Sequence, residues 1–370
     1  MFGYTNPIFV IVVLLFYIIL HHLYRPALYY KGSLPITRKL CGLIIIILLC
    51  IYAVQDSDYF HYRDYLITLS SGSEVSSMED IYAWIASIVS YNYTLFRLLV
   101  WGSAIFFFIK SAKRLNSNLC IVLFFFVSMY LSKFSYSRVS LAMAMGLYGY
   151  SFIVKSGTNQ IVSKLWGIVL VISSIFFHKS AIVFLPLYIL SLFKFNKWVY
   201  FLLLMLLPVM YYVVSTIGVD YLFSMQSNTI FDYNSAINYL EKSKRSMGIA
   251  AVIQRLLERV PYYIIMIIIL WDIFKGYYKS RDYSVRCLMN FSLYTILFSS
   301  IFLFDFGENN TTIIYYRFLY YSILPLSILL ASLWKDKRYK KYILISQKIG
   351  YIAVIYSILY SAYNMCFLFF

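Results

Sequence analysis

The sequence predicts an all-α polytopic membrane protein with about twelve transmembrane helices and two longer extracytoplasmic loops. Composition is the first reason. Hydrophobic residues make up 62% of the chain and charged residues 13%, against about 25% charged in a soluble domain. The second is run length: the apolar residues come in stretches of roughly 15–20, enough to cross a hydrocarbon core of about 30 Å. The third is periodicity. Runs such as 43–50 and 264–270 are continuously apolar, whereas the strands of a membrane barrel alternate over about ten residues.

The first run, 7–23, lacks a basic leader and a small-residue cleavage site, so it reads as a retained helix. Further runs cover 40–54, 93–109, 119–131, 139–154, 165–177, 180–193, 198–214, 260–274, 287–304, 318–334 and 349–366. Those at 119–131 and 165–177 are short for a crossing. With no clear internal repeat and no low-complexity segment, residues 1–370 read as a single transmembrane domain. The five cysteines, Cys41, Cys50, Cys120, Cys287 and Cys366, lie in or beside apolar runs and form no CxxC. They read as small buried hydrophobes rather than disulfides or metal ligands.

Charge placement sets the orientation. Loops on one side hold 21 of the 32 lysines and arginines, and 12 of the 15 acidic residues fall on the other side. The basic side is expected to be cytoplasmic, with both termini outside. Most of the +17 net charge then serves as topological anchoring and attraction to anionic lipid. No basic, glycine-rich or zinc-spaced module stands outside the membrane pattern, so nucleic acid is not an expected partner. The outer side is also rich in arginine, with Arg63, Arg97, Arg138, Arg245, Arg255, Arg259 and Arg317. Anchoring has no preference for arginine over lysine, whereas forked phosphate recognition does.

The two long loops, about 55–92 and 215–259, both fall outside. The first opens with Asp56-Ser-Asp58-Tyr59-Phe60-His61-Tyr62-Arg63-Asp64-Tyr65, where carboxylates interleave with aromatic rings. Rings stack on sugar faces, carboxylates accept from sugar hydroxyls, and Asp58 or a histidine could serve as a general base. An interfacial aromatic belt with solvated charges is the alternative. The second loop ends in a segment, 248–261, with helical apolar spacing. It is expected to lie on the membrane or lead into the next span. Arg255 and Arg259 are four apart and share a helix face, as a diphosphate would require. The alternative is a solvated face with Glu258 paired to Arg255.

Three charged residues interrupt the apolar pattern on the outer side, where charge is costly unless paired. Arg138 and Arg317 open helices, whose N-termini favour anions. His178 sits in a tight hairpin, Phe176-Phe177-His178-Lys179-Ser180. Snorkelling or a satisfied boundary histidine is the alternative for each. His21 and His22 are placed at the inner end of the first run, far from this face.

Asp58-Tyr59-x-x-Tyr62, Arg138-x-x-Leu-Ala142, Phe177-His178-Lys179-Ser180 and Arg317 with its neighbouring tyrosines resemble, in order, the motifs of bacterial EpsG-like proteins. These are a branch of the Wzy-type exopolysaccharide and O-antigen polymerases. The resemblance implies a GT-C-like layout and glycosyl transfer from an undecaprenyl-diphosphate-linked donor to a lipid-linked acceptor. The reaction would take place on the outer face of the inner membrane. Metal-independent chemistry is implied, with no cofactor and no metal site, and with a chain-length regulator and a flippase as partners. Under this resemblance Arg138 and Arg317, helped by Arg255 and Arg259, hold the diphosphate. Asp58 or His178 activates the acceptor, and Tyr59, His61, Tyr62 and Tyr65 line the glycan path. The motif lacks a second histidine near Arg317. A flippase for the lipid-linked unit and a membrane O-acyltransferase are the competing classes.

Overall fold

In an apolar solvent the backbone must satisfy its own polar groups, and helices do so within a single segment. The computed structural model describes residues 7–29, 34–52, 57–72, 80–115, 117–134, 139–155, 161–213, 249–301 and 318–367. Every regular element among these residues is helical, and each of the twelve apolar runs is helical over most of its length. The helices are α1 (Pro7–Tyr24), α2 (Ile36–Tyr52), α3 (Ser57–Ser70), α4 (Asp80–Ile88), α5 (Tyr93–Arg114), α6 (Leu119–Met129), α7 (Leu131–Phe134) and α8 (Val139–Lys155). They continue as α9 (Ile161–Phe177), α10 (Leu185–Ser191), α11 (Lys197–Val213), α12 (Ile249–Phe274), α13 (Tyr283–Ser300), α14 (Ile323–Leu333) and α15 (Lys340–Phe367). By length and composition, Ile8–Leu28, Tyr93–Arg114 and Lys340–Tyr360 can each cross a membrane unaided.

Two short apolar helices, α6 and α14, sit deepest. α6 is buried on every face from Cys120 to Met129, and α14 likewise over most of its length; an all-round apolar helix belongs inside. α6 packs against α1, α5, α14 and α15. Its 11 residues rise only about 16 Å, half a hydrocarbon core. After a break at Tyr130 the chain turns again as α7. The carbonyl of Phe134, which ends α7, accepts from Trp101 Nε1 at 3.1 Å and Ser140 Oγ at 2.6 Å. Asn118 caps the start of α6, accepting from the N–H groups of Cys120 and Ile121. Asn92 caps α5 in the same way. α8 and α9 cross backbone to backbone at Gly149 and Gly167. A Cβ at either position would lie 2.6 Å from the other's carbonyl oxygen, so only glycine permits this approach.

The first long loop read from sequence is instead largely helical. α3 and α4 pack on α5, and α4 also on α9, through buried Tyr65, Leu66, Tyr82 and Ala86. Polar residues between these anchors lower the apolar average of the segment and conceal the helices from a run-based reading. Within the second loop, residues 214–248 lie outside the described residues. The segment from 249 onward leads directly into the next span as one 26-residue helix, α12, antiparallel to α15.

Buried charges are met by specific partners. Arg97 on α5 is 0% exposed. Its guanidinium donates to the Cys50 carbonyl through Nε at 3.2 Å and Nη2 at 2.5 Å, and lies over the Trp101 ring at 4.0 Å. Cys50 is within the last turn of α2, where carbonyls have no partner inside the helix; Arg97 therefore closes the end of α2. At the other end of the bundle, Arg281 bridges Asp272 at 2.7 Å and Asp336 at 2.8 Å. Arg338 also holds Asp336, and Tyr339 donates to Asp272. Close by, Asn290 uses its full capacity. Its amide oxygen accepts from Tyr200 and Tyr278, and its nitrogen donates to the carbonyls of Ser191 and Phe193.

Arg97→Met leaves the Cys50 carbonyl buried without its donor and is expected to cost about 1–3 kcal/mol, read as a lower Tm of the purified protein. The hydrogen bonds from Arg338 and then Arg281 hold the Asp336 carboxyl well below the ordinary carboxylate range. A depressed carboxylate pKa stabilises fully above the unfolded value of about 3.9 and is lost as pH falls below it. The Tm gap between wild type and Asp336→Asn should therefore be constant from pH 8 to about 5 and close only in stronger acid.

Candidate functional site

A polar site lies where α6 stops. Lys133 on α7 and Glu258 on α12, 125 residues apart, form a buried ion pair; Glu258 is 8% exposed. Such a pair is held only when further hydrogen bonds compensate the lost solvation. Gln254, one turn earlier on α12, supplies one, donating to Glu258 Oε1 at 3.0 Å and to Ser357 on α15 at 3.0 Å. Lys133 also meets Oε1. Among the described residues none donates to the second oxygen, Oε2. Glu258 is 14 residues from Asp272, about 21 Å along α12, which puts the two charged sites toward opposite ends of the bundle.

The ion pair borders a cavity of about 20 Å³ lined by Tyr130, Ser132, Tyr262, Tyr320, Met129, Gly350 and neighbouring residues of α12 and α15. Tyr130 is 1% exposed, and its hydroxyl has no hydrogen-bond partner among the described residues. His21 packs just beyond the Met129–Gly350 wall. Its Nδ1 is 3.3 Å from Ser128 Oγ, and its ring stacks on Tyr351 at 4.4 Å. His21 lies in the last turn of α1, as expected, and these contacts bring it beside residues that neighbour the ion-pair cavity.

The hairpin histidine is part of a second polar chain. His178 is the single extended residue between α9 and the 3₁₀ helix Lys179–Phe184. Its Nδ1 accepts from the Ser180 N–H at 3.2 Å and lies 2.7 Å from Ser180 Oγ. An Nδ1 that accepts is unprotonated, so Ser180 Oγ donates to it and in turn accepts from the Tyr321 hydroxyl at 3.0 Å. A neutral His178 then carries its proton on Nε2. Tyr321 also stacks on Phe184 at 3.7 Å. Tyr320, the preceding residue, borders the cavity of the ion pair. The segment just after position 317 thus joins the hairpin to the Lys133–Glu258 site.

The sequence-selected residues divide three ways. Arg138 and Arg317 lie outside the described residues; Lys133 and Phe134 precede the first, and Phe318–Tyr321 follow the second. Asp58, Tyr59, His61 and Tyr62 fall on α3, but their side chains are outside the described set. Tyr65, on the same helix, is 4% exposed and part of the core. Arg255 and Arg259 are half-buried on α12, one turn apart. The Arg255–Glu258 pairing is overturned, because Glu258 turns to Lys133 across the bundle. The segment 248–261 leads into the next span, one of the two expected placements, with its apolar face outward. Leu256 is 55% exposed, Ile253 and Val260 are also exposed, and Gln254 and Glu258 point inward. Lipid takes the apolar face, and the bundle takes the polar one.

Sequence reasoning missed Lys133, Glu258 and Tyr130. Lys133 stood alone beside an apolar run and Glu258 stood between Arg255 and Arg259, and nothing local links the two. No curated protein and no solved structure matches the chain. A model of the EpsG family matches residues 38–369, a stretch containing every motif on which the resemblance rested, and the chain therefore belongs to the EpsG family.

Proposed function

We propose that this protein is a polysaccharide polymerase. It transfers a glycan from an undecaprenyl-diphosphate-linked donor to a lipid-linked repeat-unit acceptor at the outer face of the bacterial inner membrane. Membership of the EpsG family makes it a polysaccharide-polymerase-like membrane protein; donor, acceptor, sidedness, twelve crossings and a GT-C-like layout are part of the proposal. One observation carries it: the chain beside His178, Arg317, Arg138 and the Arg255–Arg259 pair converges. Ser180 of the hairpin bonds Tyr321, four residues after Arg317. Tyr320 shares a cavity with Lys133, five residues before Arg138, and with Glu258 on the helix of Arg255 and Arg259.

In this reading Arg138 and Arg317, with Arg255 and Arg259, bind the diphosphate and offset the charge that develops as it leaves. His178, with Nδ1 engaged by Ser180, presents Nε2–H and donates to the substrate, so a carboxylate accepts the acceptor's proton. The helix α3, held by Tyr65, carries Asp58, Tyr59, His61 and Tyr62 to the glycan. A flippase would call for polar groups along a path through the bundle; the ion pairs among the described residues instead form two separate clusters.

Purified protein reconstituted with a synthetic lipid-linked repeat unit should lengthen the glycan and release lipid diphosphate. Movement of unchanged substrate across the bilayer would instead make it a flippase. Arg138→Ala and Arg317→Ala should each lower turnover about 10²–10³-fold, the cost of losing one charge-stabilising group; full-length polymer from both variants at normal protein levels would remove these roles.

A further inference from the structure

We propose that Glu258 is the general base of the transfer and that the cavity beside it receives the acceptor's reacting hydroxyl; this rests on the polymerase reading above. Three observations carry it. Glu258 is held in place by one oxygen only: Oε1 takes both Lys133 and Gln254, while Oε2 receives no donor among the described residues. Tyr130, on the cavity wall, buries a hydroxyl that has no partner among the described residues. A buried polar group left in this way costs about 1–3 kcal/mol, so the site is built for a hydroxyl or water that bonds it. Finally, about 20 Å³ admits a single water-sized group, which suits one hydroxyl at the tip of a sugar but not a ring. The rings of Tyr262 and Tyr320 border the same cavity and give the sugar an apolar rest.

The chemistry balances with the groups named. The acceptor oxygen attacks the anomeric carbon, and its proton passes to Glu258 Oε2. The bond from that carbon to the diphosphate oxygen breaks, and the lipid diphosphate departs with the electron pair. Glu258 then releases its proton to water and is restored. Lys133 and Gln254 keep the carboxylate oriented through the cycle. Neither His178 nor His21 shares this geometry: His178 commits its unprotonated nitrogen to Ser180, and His21 is turned to Ser128 and Tyr351.

The test uses the full-length protein in liposomes with the synthetic lipid-linked unit. Glu258→Gln should lower turnover at least tenfold and up to the roughly 10²–10⁴-fold typical of losing a positioned base, with donor affinity unchanged. Because that variant leaves Lys133 buried without its counter-ion, it is paired with the double variant Lys133→Met/Glu258→Gln, which removes the stranded charge. Replacing both members of a buried ion pair is often neutral for stability. The double variant should therefore recover the wild-type Tm and remain inactive. Turnover restored with the Tm marks the pair as structural and overturns the proposal, as does a fall of less than tenfold in Glu258→Gln or a fall that follows weaker donor binding. If the wild-type protein lengthens no glycan, the polymerase reading fails first; if it does and both variants do too, only the role of Glu258 fails.

Discussion

A helix that ends halfway through a membrane leaves its last carbonyls and its next residues in a place that contains no water. α6 is too short to cross a hydrocarbon core by itself and is buried on every face, and its neighbours are arranged around its end. Eleven residues cannot reach across, so longer neighbours must surround the helix and other side chains must complete its end. Trp101 and Ser140 take the Phe134 carbonyl, and Glu258 takes Lys133. The gap beyond Met129 is left lined with tyrosine. The same shortfall that makes α6 dependent on its neighbours creates the polar space in which chemistry becomes feasible.

The distribution of polar contacts follows. Toward one end, Asp272, Arg281, Asp336 and Arg338 compensate one another completely, as does the Asn290 network. Toward the other, Glu258 keeps an oxygen without a donor among the described residues, and Tyr130 keeps a hydroxyl without one. Fully satisfied networks fix a structure, whereas partly satisfied ones have capacity left for a ligand.

How much of this was legible in the sequence depends on the range of each interaction. The apolar runs were legible because helix and membrane thickness set their length locally. The tight hairpin at His178 was legible because one residue separates two apolar stretches. α3 and α4 were not, since they are anchored by a few aromatics in a polar segment. The partner of Glu258 was not either. Sequence spacing offered Arg255 one turn away, but the fold supplied Lys133 from 125 residues earlier. The helical spacing of 248–261 was legible and α12 does lead into the next span, but the inward turn of Gln254 and Glu258 was not, because only the surrounding packing decides which face of an amphipathic pattern is covered.

The 125 residues between Lys133 and Glu258 also set an order of assembly. Chains grow at about 5–20 residues per second, so Lys133 emerges roughly 6–25 s before its counter-ion exists. Over that interval its ammonium must remain near the headgroups, reached by its long stem, while α8 to α11 are made. The ion pair closes only when α12 arrives. The centre of the site is therefore completed late, once α12 has been made.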